Sequence, residues 1–335
     1  MSTCPIPFNQ LYVHSSGEVY PCSFLQNNPE FILGNIQTSS LADIWKSEQL
    51  DKIRKQHLSQ LPLSCEKYQA SYSCHKTGLR PDFDFTSLTI KRLDLMLDSA
   101  CNLTCQMCTN IYDRTGGFKD SFFWANNEET LASITELEVV GGEPLISPHY
   151  YRLVSLVSSI NSKVEWRITT NAHYQITSEL IKSFQAIRLK RISISLDSLK
   201  PAVFEAIRAR SKFETVFENI VQIKSLVPTV QINMVVQEAN YDELVEMLLW
   251  TRKNGYKFYP ILLVHPRKGS LLERPLAVNK AFILDLMEKN ESIKSAELFF
   301  FAKKMIDHLA LKNDPDVVEP YYNQLQMIGR IGDAF

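Results

Sequence analysis

The chain has 335 residues, with 36 Lys or Arg against 37 Asp or Glu and 45% hydrophobic residues. That length allows a sizeable core and more than one domain, and the balanced charge excludes a global pull toward nucleic acid or anionic lipid. No apolar run approaches the ~20 residues needed to cross a bilayer, and MSTCPIPF lacks a charged flank followed by a long apolar stretch, so a cytoplasmic protein without membrane partners is expected.

In a reducing cytosol, seven cysteines are poor disulfide candidates and point toward metal or redox chemistry. Four of them fall in residues 1–80, which read as a small separate domain of short extended pieces. A Ser-Gly turn stands at 16 and 17, and one helix is expected from Ser40 to about His57, with KIRK at 52 to 55 on its solvated face. Cys4 and Cys22 flank Gly17 in the pattern C-x12-G-x4-C, and Cys65 and Cys74 come later in the same region. Four thiolates close an iron–sulfur cluster or a zinc ion, and the count does not choose between them. His75, beside Cys74, has two readings, a further ligand or a surface histidine. RPDFDFTS (80–87) reads as the linker to the larger domain.

From about residue 88 to 267, β-like runs alternate with amphipathic helical stretches. The runs are LDLML (93–97), LEVV (137–140), VEWRIT (164–169), RISISL (191–196), VQINMVV (230–236) and FYPILLV (258–264). Strands separated by helices imply an α/β fold with parallel pairing and βα crossovers. Asn240 followed by Tyr-Asp-Glu fits a capping box, Leu244, Met247, Leu248 and Trp250 continue as an apolar face, and Gly255 supplies the stop. Phe213, Val216, Phe217 and Ile220 make a similar core-facing stripe. Residues 268–335 read as a helical extension with Phe299, Phe300, Phe301 and Met305 as packing residues.

The chemistry concentrates at the strand ends, where βα loops converge. After LDLML comes CNLTCQMC, with Cys101, Cys105 and Cys108 at gaps of three and two residues. A structural zinc site takes four ligands, usually as two close pairs. A cubane iron–sulfur cluster held by three thiolates leaves one iron open to a small ligand. A partial zinc site or a chance grouping is the bland alternative. The second run ends in Gly141, Gly142, Glu143 and Pro144, where missing side chains permit close backbone approach and a carboxylate suits an ammonium group. In SISLDS, Ser195 and Asp197 alternate with Ile194 and Leu196, so an outward apolar pair turns the polar pair inward.

These motifs resemble the radical S-adenosylmethionine (SAM) superfamily, whose C-x3-C-x2-C loop comes after the first strand of a partial (β/α)6 barrel. The resemblance covers roughly residues 90–267. It implies a [4Fe–4S] cluster on Cys101, Cys105 and Cys108, with SAM on the open iron, and reductive cleavage of SAM to a 5′-deoxyadenosyl radical that abstracts hydrogen from a substrate. It also implies that Gly141, Gly142 and Glu143 hold the SAM amino group, that Ser195 and Asp197 meet the ribose, and that Arg208 pairs with the SAM carboxylate. Asn171 has two readings, part of the polar rim or a turn residue; Met107 either lies near the adenine or packs.

A narrower resemblance, carried by CPIPFNQLYVHSSGEVYPC, LGNIQTSSLADIWKS and CEKYQASYSC, is to the auxiliary-cluster domains called SPASM and twitch. It implies one auxiliary [4Fe–4S] cluster on Cys4, Cys22, Cys65 and Cys74, since Tyr68 and Gly78 stand where further cysteines would fall. The domain here precedes the barrel, whereas in most relatives it comes after. The family implies an electron donor such as flavodoxin or ferredoxin and a peptide or protein substrate, with a nucleoside, sugar or other small metabolite as the alternative and a non-catalytic nucleic-acid-binding module as the distant one.

Overall fold

The computed structural model describes residues 4–26, 28–59, 65, 85–86, 88–108, 118–119, 121–264 and 268–328. Cys74, His75, Tyr68, Gly78 and most of the expected linker lie outside the described residues. In chain order the described strands are β1 (Gln10–Val13), β2 (Glu18–Tyr20), β3 (Gly34–Asn35), β4 (Arg92–Met96), β5 (Thr104–Cys105), β6 (Glu136–Val140), β7 (Glu165–Thr170), β8 (Arg188–Ser195), β9 (Arg208–Ala209), β10 (Val230–Val236) and β11 (Lys257–Leu262). All six runs expected from sequence are strands, with ends shifted by at most three residues, and the fold is α/β. Two compact units divide the chain: Met1–Thr104, Thr109–Ile194 and Arg210–Val230 form one, and Cys105–Cys108, Ser195–Ala209 and Gln231–Phe335 the other.

In the first unit β8, β7, β6, β4 and β1 lie side by side, and each neighbouring pair is parallel. β2 then adds antiparallel to β1, and β3 antiparallel to β2. The cysteine-rich N-terminal region thus contributes β1 directly beside β4, with Gln10 opposite Arg92 and Val13 opposite Leu95.

Strand alternation sorts the two faces of this sheet. Leu93, Leu95, Leu137, Val139, Trp166 and Ile168 are buried on one. The other carries Arg92, Asp94, Glu136, Glu138 and Arg167. Asp94 stands opposite Glu138 in the register, a like-charge pairing that is destabilising alone. Arg92 resolves it: its Nε is 2.6 Å from Asp94 and its Nη2 binds Glu138, while Arg167 binds Glu136. Gln10 adds a hydrogen bond to Asp94 of 2.7 Å.

Helix Pro148–Ile160, which follows β6, forms by a readable route. Ser147 accepts from the His149 N–H as N-cap, Pro148 stands at the first turn where its missing N–H costs nothing, and Tyr150, Leu153, Val154 and Val157 are buried. Each such side chain contributes on the order of 1.5–3 kcal/mol of burial.

The single helix expected from Ser40 to about His57 is two helices, Leu41–Trp45 and Glu48–Leu58. Ser47 restarts the chain by accepting from the Leu50 N–H, so a second N-cap interrupts what periodicity joins. Within KIRK, Arg54 is buried rather than solvated. Its guanidinium donates to the carbonyls of Pro7 (2.9 Å) and Trp45 (3.1 Å) and lies 4.2 Å from the Trp45 ring centre.

In the second unit β10 and β11 pair in parallel, Met234 opposite Pro260. Helix Leu244–Lys253 buries Leu244, Met247 and Leu248 and ends before Gly255, whose φ of 68° is the left-handed conformation glycine adopts freely. The expected capping box at Asn240 does not form. Its Oδ1 accepts from the Gln237 N–H, and its Nδ2 donates to Asp197 O at 2.7 Å and Val235 O at 3.0 Å. The extension is helical as expected, over Leu276–Ile293, Ala296–His308 and Pro315–Ile328. Phe299, Phe301 and Met305 are buried, but Phe300 is 51% exposed, because three consecutive helical positions cannot share one face. No helix among the described residues is long and apolar enough to cross a membrane.

Candidate cofactor site

In the first unit the cysteine loop begins where β4 and β6 end. Gly141 has φ 142°, and a Cβ there would overlap the Asp98 carbonyl oxygen; a Cβ on Gly142 would overlap those of Ser99 and Ala100. The Gly142 N–H donates to Asp98 O at 2.8 Å and the Glu143 N–H to Ala100 O at 3.0 Å. The paired glycines therefore dock the segment 98–100 against the end of β6, the close approach being to backbone.

Glu143 is fully buried, and its carboxylate is richly bonded. Oε1 accepts from the Leu145 N–H (3.1 Å) and the Thr170 hydroxyl (2.7 Å), and Oε2 from the Asn171 N–H (2.6 Å). Such donors stabilise a buried carboxylate and lock the ends of β6 and β7 together. Burial pushes the nearby Tyr174 phenol well up, with Glu143 adding to the shift.

Asn171 is 5% exposed and uses both ends of its amide. Oδ1 accepts from the His173 N–H (2.8 Å); Nδ2 donates to Asn102 Oδ1 (2.9 Å) and to Cys101 Sγ (3.5 Å). Asn102 closes the loop by donating to His173 O. A second donor, the Leu103 N–H, lies 3.4 Å from Cys101 Sγ.

In the second unit Arg208 and Asp197 are both buried and pair at 2.7 Å. Asp197 Oδ1 also accepts from the Val235 N–H at 2.7 Å. Burial pushes the Asp197 carboxyl up, opposed by Arg208 and by that N–H. For Arg208, burial works to lower the pKa, yet the charges of Asp197, Cys105 and Cys108 outweigh it and the pKa is raised. Arg208 Nη1 is 3.7 Å from Cys105 Sγ. Gln106 ties the same loop to the helix before Arg208, through its N–H to Ile207 O (2.9 Å) and its amide to Ala206 O (2.8 Å). Met107 and Ser195 are half-buried.

Among the described residues no group of three or more His, Cys, Asp or Glu side chains converges on a point that would hold a single metal ion. A cubane distributes its thiolates, one to each iron, so it requires no such convergence. The donor chemistry suits it: N–H groups aim at Cys101 Sγ and a guanidinium stands beside Cys105 Sγ, surroundings that favour thiolate over thiol. Cys4 is buried and Cys22 and Cys65 are half-buried.

Sequence reasoning missed the supporting residues. Asn102 looks like an ordinary loop residue and Asn240 like a helix cap, while His173 and Asn171, the partners of Asn102, and Asp197, one partner of Asn240, lie tens of positions away. Glu243, which fits the capping box by residue type, is buried and accepts from the Ser198 hydroxyl (2.7 Å) and the Leu199 N–H (3.1 Å).

The radical SAM superfamily model matches residues 98–251, and that of the SPASM iron–sulfur cluster-binding domain matches residues 4–74. Residues 98–251 form a radical SAM domain. The SPASM match precedes the radical SAM core, and the two domains imply [4Fe–4S] clusters and SAM as cofactors. Similar proteins include GTP 3′,8-cyclases. That of Sulfurimonas denitrificans is 24% identical over 49% of this chain and 52% of its own length, and that of Clostridium botulinum 29% over 51% and 54%. That of Peptoclostridium acidaminophilum is 29% identical over 62% and 66%. The chain thus spans about half the length of the first two of these curated relatives. Among solved structures, Streptococcus suis SuiB matches with 15% identity over 62% of this chain and 48% of its own, TM-score 0.47. Native anSMEcpe with bound AdoMet and Cp18Cys peptide matches with 17% identity over 59% and 58%, TM-score 0.46.

Proposed function

We propose that this radical SAM enzyme holds one [4Fe–4S] cluster on Cys101, Cys105 and Cys108, with SAM completing its coordination, and an auxiliary cluster on Cys4, Cys22, Cys65 and Cys74. When bound, cluster and SAM supply one-electron cleavage of the sulfonium, yielding methionine and a 5′-deoxyadenosyl radical that takes hydrogen from the substrate. The observation that carries this reading is the set of donors on the loop sulfurs, from Asn171 and Leu103 to Cys101 and from Arg208 to Cys105. Glu143, Gly141 and Gly142 fix the loop's entry. Asp197 orients the Arg208 guanidinium, and Ser195 and Met107 remain the candidates for ribose and adenine contact. A small donor such as flavodoxin or ferredoxin supplies the electron.

The substrate we favour is a nucleotide or another small metabolite, because the curated relatives are GTP 3′,8-cyclases. The second reading, a peptide or protein side chain, is supported by the SPASM match, since relatives with such domains often modify peptides.

Anaerobic reconstitution with iron and sulfide, reduction, and assay of 5′-deoxyadenosine tests the activity. Cleavage is expected in the native chain and lost on replacing Cys101, Cys105 and Cys108 together with alanine, while iron on the N-terminal cysteines stays. Cleavage that survives the triple variant overturns the cluster assignment. A rise in 5′-deoxyadenosine with nucleoside triphosphates and none with peptides supports the favoured substrate; the reverse supports the second.

A further inference from the structure

We propose that Asn171 is a positioning residue for the SAM-binding cluster, acting through Cys101: its side-chain amide donates to Cys101 Sγ, fixes that sulfur's rotamer and makes the cluster easier to reduce. The inference rests on the cluster assignment proposed above, and it assigns Asn171 to the thiolate rather than to a rim around SAM.

The amide has one available orientation. Its Oδ1 accepts the His173 N–H at 2.8 Å, so turning the group over would set an NH2 against an N–H and an oxygen against the Asn102 oxygen. With the group as it stands, one N–H meets Asn102 Oδ1 at 2.9 Å and the other points at Cys101 Sγ at 3.5 Å. Asn102 is itself held by its bond to His173 O, and the Asn171 backbone N–H is anchored on Glu143 at 2.6 Å. Every polar atom of the Asn171 side chain is therefore committed, and the donor reaches the sulfur without further ordering.

The electrostatic sense of the contact is definite. Reduction places one more electron on a cluster whose thiolates already carry negative charge, and N–H donors to sulfur draw part of that charge away. The reduced state gains more from the donor than the oxidised state, so the potential rises. Leu103 supplies a second N–H to the same sulfur from the backbone, and a side-chain substitution leaves it in place. Removing the Asn171 donor thus lowers the potential without stripping Cys101 of every hydrogen bond.

The test is an EPR-monitored redox titration, with dithionite as reductant, of the reconstituted native chain and of Asn171→Leu and Asn171→Asp. The signal that changes on adding SAM separates this cluster from the auxiliary one. Asn171→Leu should reduce the one-electron reduction constant about tenfold, ~59 mV. Asn171→Asp, which adds a negative charge beside the sulfur, should lower it further. A SAM-responsive signal whose midpoint is unchanged in both variants overturns the inference and leaves the cluster assignment standing. Absence of any SAM response in the native chain overturns both. Should neither variant retain the cluster, pulsed EPR of the native chain labelled with 15N at asparagine side chains decides: a 15N coupling on the SAM-responsive signal supports the contact, and its absence overturns it.

Discussion

Asp197 and Arg208, eleven positions apart in the chain, form a buried ion pair at 2.7 Å in which the carboxylate also takes the Val235 N–H and the guanidinium reaches Cys105 Sγ at 3.7 Å. Two charges removed from water are tolerable only together. Asp197→Ala strands the guanidinium, and the expected loss is ~3–5 kcal/mol in chemical denaturation. Asp197→Leu combined with Arg208→Met should recover most of that stability while abolishing SAM binding, measured by calorimetry on reconstituted protein. A double variant that still binds SAM with native affinity would remove Arg208 from the cofactor site.

Gly142 is predicted to tolerate no side chain. A methyl there meets the carbonyl oxygens of Ser99 and Ala100, which are backbone and cannot swing aside. The segment leading to Cys101 must move instead, and overpacking of this kind costs ~1–3 kcal/mol. Gly142→Ala should lower the denaturation midpoint and the iron retained by the loop cysteines. Full iron content in the variant would show that the docking of 98–100 does not govern the loop.

The six strands of the core are legible in the sequence because apolar alternation and crossover spacing are local signals. The break within Ser40 to His57 is not: Ser47 sits inside an otherwise helical pattern, and only the hydrogen bond it makes reveals a restart. Asn240 matches a capping box by residue type, but its amide goes to Asp197 O and Val235 O, and no window of sequence contains the first of those partners. The glycine pair at 141 and 142 does signal close approach, and the approaching group is the chain itself. Side chains that act on residues seventy or a hundred positions away, such as Asn171 on Cys101 and Arg208 on Cys105, carry no periodicity to find.

His149 gives the first unit a pH dependence of definite sign. Burial holds its pKa below the ordinary 6.5, helped by Arg152 and Lys119 and opposed by Asp98. The native state therefore binds fewer protons than the unfolded chain between the lowered value and 6.5. The stability from this group is complete above the unfolded pKa and is lost as pH falls toward the folded one. His149 stacks on Trp124 with ring centroids 6.4 Å apart, so His149→Phe preserves the aromatic contact while removing the proton. Melting temperatures between pH 5 and 7.5 should fall less steeply in that variant; parallel curves would show that His149 does not contribute.

Arg54 links the N-terminal cysteines to the helix Glu48–Leu58. Its Nε donates to Pro7 O at 2.9 Å, three residues after Cys4, and its Nη1 to Trp45 O at 3.1 Å and Asp51 at 3.0 Å. Burial lowers its pKa, against the hydrogen bond and charge of Asp51. Charged hydrogen bonds of this sort and the stacking on Trp45 together make Arg54→Ala cost ~2–4 kcal/mol. Arg54→Lys should rescue little, because an ammonium cannot serve two carbonyls in the plane of a guanidinium fork. If the Pro7 contact positions Cys4, the alanine variant will also lose iron from the N-terminal cysteines while the SAM-responsive EPR signal persists. Loss of both signals in equal proportion would instead mark a general failure to fold.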